Sequence, residues 1–201
     1  MSDLNELSEL AWKGLLDTKF EHHPVHSFYE GSTEIKSNLL AMKGIGGFFA
    51  IDTGDGLVMI DAGSQLDIET GYNEIKKWRP KDFLKAAIFT HHHVDHIFAI
   101  EKFDDECKIN NQPLPKVYAH ELTPDHFDRY KLTNGWNTAI NRRQFAIDVD
   151  KFKWPTEYRY PDETYKSKTS FKQGNLTFDL YHGRGETDDH TWVHIPEEKI
   201  I

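Results

Sequence analysis

The stretch Thr90-His91-His92-His93-Val94-Asp95-His96 decides how this chain is read. It follows Phe83 to Phe89, an apolar run whose length and composition predict a buried strand, so the histidines begin where a strand ends. A strand end holds side chains on a fixed scaffold. Imidazole together with carboxylate is a donor set for zinc, and also for manganese or iron. In an extended segment His91 and His93 point the same way, while Asp95 and His96 at the following turn face a second position nearby. The spacing therefore divides into two pairs. An accidental histidine tract would neither follow a buried strand nor carry the Asp95-His96 pair ahead of the helix expected over Ile97 to Phe103.

Upstream, Gly47 to Asp52 and Leu57 to Asp61 are short β-rich runs separated by Thr53-Gly54-Asp55-Gly56, which predicts a hairpin. Ala62-Gly63-Ser64 breaks the second run. Ile68, Tyr72, Ile75 and Trp78 then recur at helical spacing until Pro80. Downstream, Lys116 to Ala119 reads as a strand, Thr123 to Asp148 as helical, and Lys151 to Lys168 as a long ordered loop rich in proline, tyrosine and charge. Leu176 to Tyr181 and Thr191 to Ile195 are strands, and Lys199 to Ile201 begins another. At the start, Leu4, Leu7, Leu10, Ala11 and Leu15 describe an amphipathic helix on the outside of the core. Hairpins mixed with strand-helix units predict an α+β fold, a sheet covered by helices.

At 201 residues one domain spanning 1–201 is expected. The net charge of −9, from 24 Lys plus Arg against 33 Asp plus Glu, argues against nucleic acid or an anionic membrane as partner. Asp3, Glu6 and Glu9 near the start do not suit a signal peptide, and no apolar window approaches a membrane span. A cytoplasmic location is expected. Cys107 is alone, so it forms no internal disulfide and reads as a buried thiol.

The run Thr90 to His96, preceded by a hairpin and Ile60-Asp61-Ala62-Gly63, resembles the HxHxDH signature of the metallo-β-lactamase superfamily. The resemblance implies an αβ/βα sandwich and hydrolysis by a water activated on one or two zinc ions. It implies that His91 and His93 hold one metal and Asp95 and His96 the other, with Asp95 also the candidate to relay a proton. Asp61 would orient a ligand from behind. The family's next ligand is a histidine in a Gly-His-Thr turn. The matching turn here is Gly185-Glu186-Thr187-Asp188-Asp189, so Glu186 stands in that place, and a carboxylate also binds zinc. Glutamate at this point is similar to the alkylsulfatase-like branch. That implies a small-molecule ester substrate, a sulfate ester first, with lactones, phosphodiesters, thioesters and β-lactams as alternatives on the same scaffold.

His182 is a candidate to stand behind the ligands or to touch substrate, whereas His190 and His194, the other nearby alternatives as ligands, share one strand face and read as solvated or core-edge residues. His120 either supplies a ligand or substrate contact or, as the preferred reading, caps a helix or lies on the surface, and His22, His23 and His26 read as a separate polar segment. Arg142, Arg143 and Gln144 with Tyr130 either line a pocket for an anion or form a solvated helix face. Trp136, Phe145, Phe152, Trp154, Tyr158 and Tyr160 either wall a site for an apolar tail or pack the core.

In the family a bridging carboxylate and one further histidine come later than the Glu186 turn. The sequence stops at Ile201, so the chain is expected to be a piece of a longer enzyme, with exposed strand edges that pair with the remainder or with a second copy. A non-catalytic metal-binding or interaction module is the competing class. Oxygen chemistry at a di-iron site is a third.

Overall fold

A computed structural model describes residues 6, 9–10, 12–13, 15, 31–44, 46–144 and 153–201. The helix expected over Leu4 to Leu16 lies mostly outside the described residues, as do Phe145 and Phe152. Among the described residues the chain order is β1 (Ser32–Lys36), β2 (Leu39–Met42), β3 (Phe48–Asp52), β4 (Leu57–Ile60), α1 (Ile68–Trp78), β5 (Leu84–Ile88), α2 (Ile100–Ile109), β6 (Lys116–His120), α3 (Thr123–Leu132), α4 (Asn134–Gln144), β7 (Glu163–Tyr165), β8 (Lys168–Gln173), β9 (Leu176–His182) and β10 (Thr191–His194).

Strands β1 to β7 form one sheet in sequence order, antiparallel from β1 to β4 and parallel from β4 to β7. Strands β10, β9 and β8 form a second, antiparallel sheet. The period-2 alternation of the large sheet divides its side chains between two cores. Phe48, Ala50, Leu57, Met59, Ala87, Val117 and Ala119 face Ile75 of α1, Ile100 and Phe103 of α2 and Phe127 of α3. Ile51, Val58, Ala86 and Ile88 face the other way, against Leu176, Phe178, Leu180 and Val193 of the small sheet. Residues such as Leu57, Val58 and Met59 are fully buried because β4 is covered on both faces, which is why it reads as a continuous apolar run.

The β3–β4 hairpin forms where the sequence places it, with Gly54 and Gly56 at φ 80° and 88°, a region that glycine enters without a Cβ penalty. Two expectations, the helix from Ile97 and the loop from Lys151, are corrected. The helix expected from Ile97 starts at Ile100, because the backbone of 96–99 bonds across to the loop after β4 instead of to itself. Ala62 N donates to His96 O at 2.6 Å, Phe98 N to Gly63 O at 3.0 Å and Ala99 N to Ala62 O at 2.6 Å. The helical patterns expected from Thr123 form two helices, α3 and α4, separated at Thr133, whose hydroxyl and N–H both donate to Arg129 O. The long loop from Lys151 contains β7, which extends the parallel sheet beside β6. Strands β1, β2 and β8 lie where the sequence pattern predicts no strand.

No helix among the described residues is long and apolar enough to cross a membrane. Cys107 is buried.

Candidate metal centre

The parallel strands β4 and β5 end side by side, and Asp61 directly follows β4 while Thr90 follows β5 by two residues. Asp61 N donates to Ile88 O at 2.8 Å, continuing the strand pairing. Its backbone turns into the left-handed region at φ 59°, where Asp is among the few side-chain-bearing residues tolerated. The turn aims its carboxylate, 5% exposed as a residue, at the base of the histidine loop.

That carboxylate orients two rings. Oδ1 accepts from Thr90 N at 2.7 Å, and Oδ2 accepts from the Thr90 hydroxyl at 2.8 Å and from His96 Nδ1 at 2.8 Å. With its own proton donated to Asp61, the Thr90 oxygen accepts from His91 Nδ1 at 2.9 Å. His91 therefore carries its proton on Nδ1 and presents a bare Nε2, while His96 donates its Nδ1–H to Asp61 and turns Nε2 toward Asp95.

The rings converge. His91 lies 4.6 Å from His93 and 4.4 Å from His96, centroid to centroid. Glu186 meets the first pair across the turn after β9, with Oε1 3.2 Å from His93 Nδ1 and Oε2 3.8 Å from His91 Nε2. His91, His93 and Glu186 form a group whose donor atoms lie within 4.8 Å of one another. His91 Nε2 is buried and has no hydrogen-bond partner. Asp95 Oδ2 lies 3.4 Å from His96 Nε2, so the second pair also faces itself, but among the described residues Asp95 joins no such group of three. Asp61 groups with His91 and His96, yet its oxygens are already engaged by Thr90 and His96.

Electrostatics follow from burial and these contacts. Burial, followed by the charge of His96, pushes the His91 pKa down to about 4, so its ring is neutral. Burial also opposes a proton on His96, but the Asp61 and Asp95 carboxylates outweigh it and raise the pKa to about 10. Burial works to raise the Asp95 pKa, and the hydrogen bond and charge of His96 more than reverse it, holding the carboxylate ionised.

Gly46 closes one side. A Cβ there would lie 2.1 Å from Asp95 O and 3.2 Å from His96 Nε2, so only a bare Cα fits against the second pair.

Other candidates fall elsewhere. His182 stacks on His120 at 4.0 Å and its Nδ1 donates to His190 O at 3.1 Å, outside the three metal-capable groups among the described residues. His120 is buried with Nε2 on Lys166 O, not a surface residue. The His190 ring centroid stands 6.3 Å from that of His91. Tyr158 and Tyr160 pack on the helical core, stacking on and edging Phe127, whereas Trp136 is 68% exposed. Arg142 lines a surface cavity of about 660 Å³ with Thr138 and Trp154, while Tyr130 is buried beside His92.

Sequence reasoning assigned nothing to His92 or Asp189, and the structure pairs them. His92 Nδ1 donates to Asp189 Oδ1 at 2.9 Å, and both residues are buried. The signal available was strand alternation, which turns the middle of three histidines away from its neighbours.

The Metallo-beta-lactamase superfamily profile matches residues 47–201, and the chain belongs to that superfamily. It is 22% identical over 167 residues to the linear primary-alkylsulfatase of Pseudomonas sp. (strain ATCC 19151), covering 75% of this chain and 31% of that protein. Its fold is similar to that of the stereoselective inverting sec-alkylsulfatase Pisa1 from Pseudomonas sp., at TM-score 0.64 and 19% identity over 84% of this chain and 30% of that one. A subclass B3 metallo-β-lactamase of Bradyrhizobium japonicum matches at TM-score 0.58 and 16% identity, covering 87% of this chain and 60% of that one. The chain thus spans about a third of the length of the alkylsulfatases it resembles.

Proposed function

We propose that this chain carries a metal-dependent hydrolase centre in which His91, His93 and Glu186 hold one zinc ion and Asp95 and His96 contribute to a second, acting on small ester substrates with sulfate esters foremost. The observation that carries the reading is His91 Nε2, a buried lone pair with no hydrogen-bond partner, faced by His93 and Glu186. Leaving such an acceptor unpaired costs about 1–3 kcal/mol. A cation among the three donors removes that cost, and two imidazoles with one carboxylate is a donor set of catalytic zinc sites that keep an open position. When bound, the metal supplies a water acidic enough to ionise near neutral pH and polarises the substrate oxygen.

The chain's own residues divide the remaining work. Asp61 and Thr90 hold the Nδ1–H groups of His91 and His96, so Nε2 is the nitrogen each ring would offer a cation, His91 at once and His96 on giving up its Nε2 proton. Asp95, kept ionised beside His96, is the group placed to accept a proton from a nucleophilic water. The substrate class rests on the likeness to two alkylsulfatases and on glutamate at position 186. A second reading, one ion held without turnover, is favoured by the absence of Asp95 from any three-donor group among the described residues.

The test loads the full chain with zinc and assays a panel of alkyl sulfate, phosphate ester, lactone and β-lactam. Turnover of the alkyl sulfate above the others, lost together with bound metal in His93→Ala, is the expected result. Unchanged metal content and hydrolysis in His93→Ala rejects the reading, and one retained ion with no turnover selects the non-catalytic one.

A further inference from the structure

His92 and Asp189 form a buried network behind the candidate metal centre. Asp189 is completely buried, and each of its oxygens is engaged: Oδ1 accepts from His92 Nδ1 at 2.9 Å and from the Thr187 hydroxyl at 2.6 Å, while Oδ2 accepts from the Thr123 hydroxyl at 2.9 Å. With Nδ1–H donated to Asp189, His92 Nε2 is an acceptor, and Arg129 Nη2 supplies the donor at 3.3 Å.

His92, His126 and Asp189 are grouped closely enough to hold an ion themselves. Their surroundings argue against it. A guanidinium lies against His92, both Asp189 oxygens already accept strong hydrogen bonds, and His126 turns its Nε2 to Asp188 at 2.7 Å. A cation would have to displace these partners and tolerate the arginine. The network is complete as a set of hydrogen bonds, and its consequence is mechanical.

Its position makes that consequence specific. His92 lies between His91 and His93, and Asp189 lies three residues after Glu186 in the same turn. The Glu186 side chain is 62% exposed, and among the described residues its ion-pair contacts are His91 and His93 alone. Its placement therefore depends on how its turn is anchored. The backbone bond Thr191 N to Thr90 O at 2.7 Å runs along the same seam, and Thr123 ties in the start of α3.

We propose that His92 and Asp189 are positioning residues whose buried hydrogen bond clamps the Glu186 turn to the histidine loop and so sets the separation of Glu186 from His91 and His93. This rests on the metal reading of that centre. Asp61 fixes the histidines from one side, and Asp189 fixes the glutamate relative to them from the other.

The test compares wild type with Asp189→Ala, His92→Leu and His92→Asn, the last keeping an amide donor near the place of Nδ1. Phe178→Leu, in the core between the sheets, serves as a reference for general loss of stability. Each metal-free chain is titrated with Zn²⁺ and with Co²⁺, whose visible spectrum reports ligand geometry, and folding is followed by circular dichroism. Asp189→Ala and His92→Leu are expected to weaken ion binding by about 10–100-fold and to alter the Co²⁺ spectrum, as loss of an outer partner does. His92→Asn is expected to recover most of the affinity, and Phe178→Leu to leave the spectrum unchanged. Wild-type affinity and spectrum in both disrupting variants, or an equal loss in Phe178→Leu, overturns the clamp. Should Asp189→Ala not fold, the contrast between His92→Leu and His92→Asn decides. A wild-type chain that takes up no ion refutes the metal reading itself, and the clamp with it.

Discussion

Asp61 accepts the Nδ1–H of His96 at 2.8 Å while its other carboxylate oxygen accepts Thr90 N at 2.7 Å, so one residue at φ 59° holds the far side of the histidine loop in register. Through the Thr90 hydroxyl the same carboxylate sets His91 as well. An Asp in the left-handed region at a strand end is a local cost that the surrounding hydrogen bonds hold in place.

Asp61→Asn keeps the size of the side chain but leaves one oxygen for three donors. Metal affinity is expected to fall by about 10–100-fold. Competition against a chromophoric chelator measures it, and wild-type affinity in this variant contradicts the orienting role.

Gly46→Ala places a methyl 2.1 Å from Asp95 O and 3.2 Å from His96 Nε2. Backbone must move, so a stability loss of about 1–3 kcal/mol is expected in chemical denaturation. Ion uptake by the Asp95–His96 pair should suffer more than uptake by His91, His93 and Glu186. Equal effects on both would mean that the glycine matters only for folding.

The part of this centre legible in the sequence is the part whose residues are contiguous. His91, His93, Asp95 and His96 lie within six positions after an apolar strand, so alternation and turn position suffice to pair them. Glu186 is legible only as a member of a Gly-Glu-Thr turn. The His92–Asp189 bond spans 97 positions, and no local periodicity encodes a contact of that range. The helix start at Ile100 was hidden for a related reason. Ile97, Phe98 and Ala99 are buried apolar residues suited to a helix, but their backbone is committed to the loop after β4. Strands β1 and β8 were missed because their exposed residues, such as Glu34, Lys36 and Lys172, carry the polar composition of a loop.

Glu186→His restores the donor usual for the superfamily at this turn, whereas Glu186→Ala removes a donor. The histidine variant is expected to retain an ion under dialysis and the alanine variant to lose it. Elemental analysis after dialysis reads this directly, and retention by both variants would exclude Glu186 from the centre.

The metal-free chain should lose stability on acidification through His91. Burial, with the His96 charge, lowers the His91 pKa from its ordinary 6.5 to about 4 in the folded state. The unfolded chain takes up this proton first as pH falls through 6.5, so protons favour unfolding until the folded ring also titrates near 4. The loss over that window is about 3 kcal/mol. Melting temperatures in chelator from pH 7 to pH 4 should fall less steeply for His91→Gln than for wild type, and parallel curves would contradict the assignment.

The central claim is that His91 Nε2, His93 Nδ1 and Glu186 converge on a cation. X-ray absorption at the zinc edge, recorded on wild-type chain stripped with chelator, reloaded and desalted, tests it most directly. At least one retained zinc per chain, with imidazole scattering and nitrogen or oxygen ligands at about 2.0–2.2 Å, is the predicted result. A folded chain that retains no zinc, or zinc ringed by water alone, would contradict it.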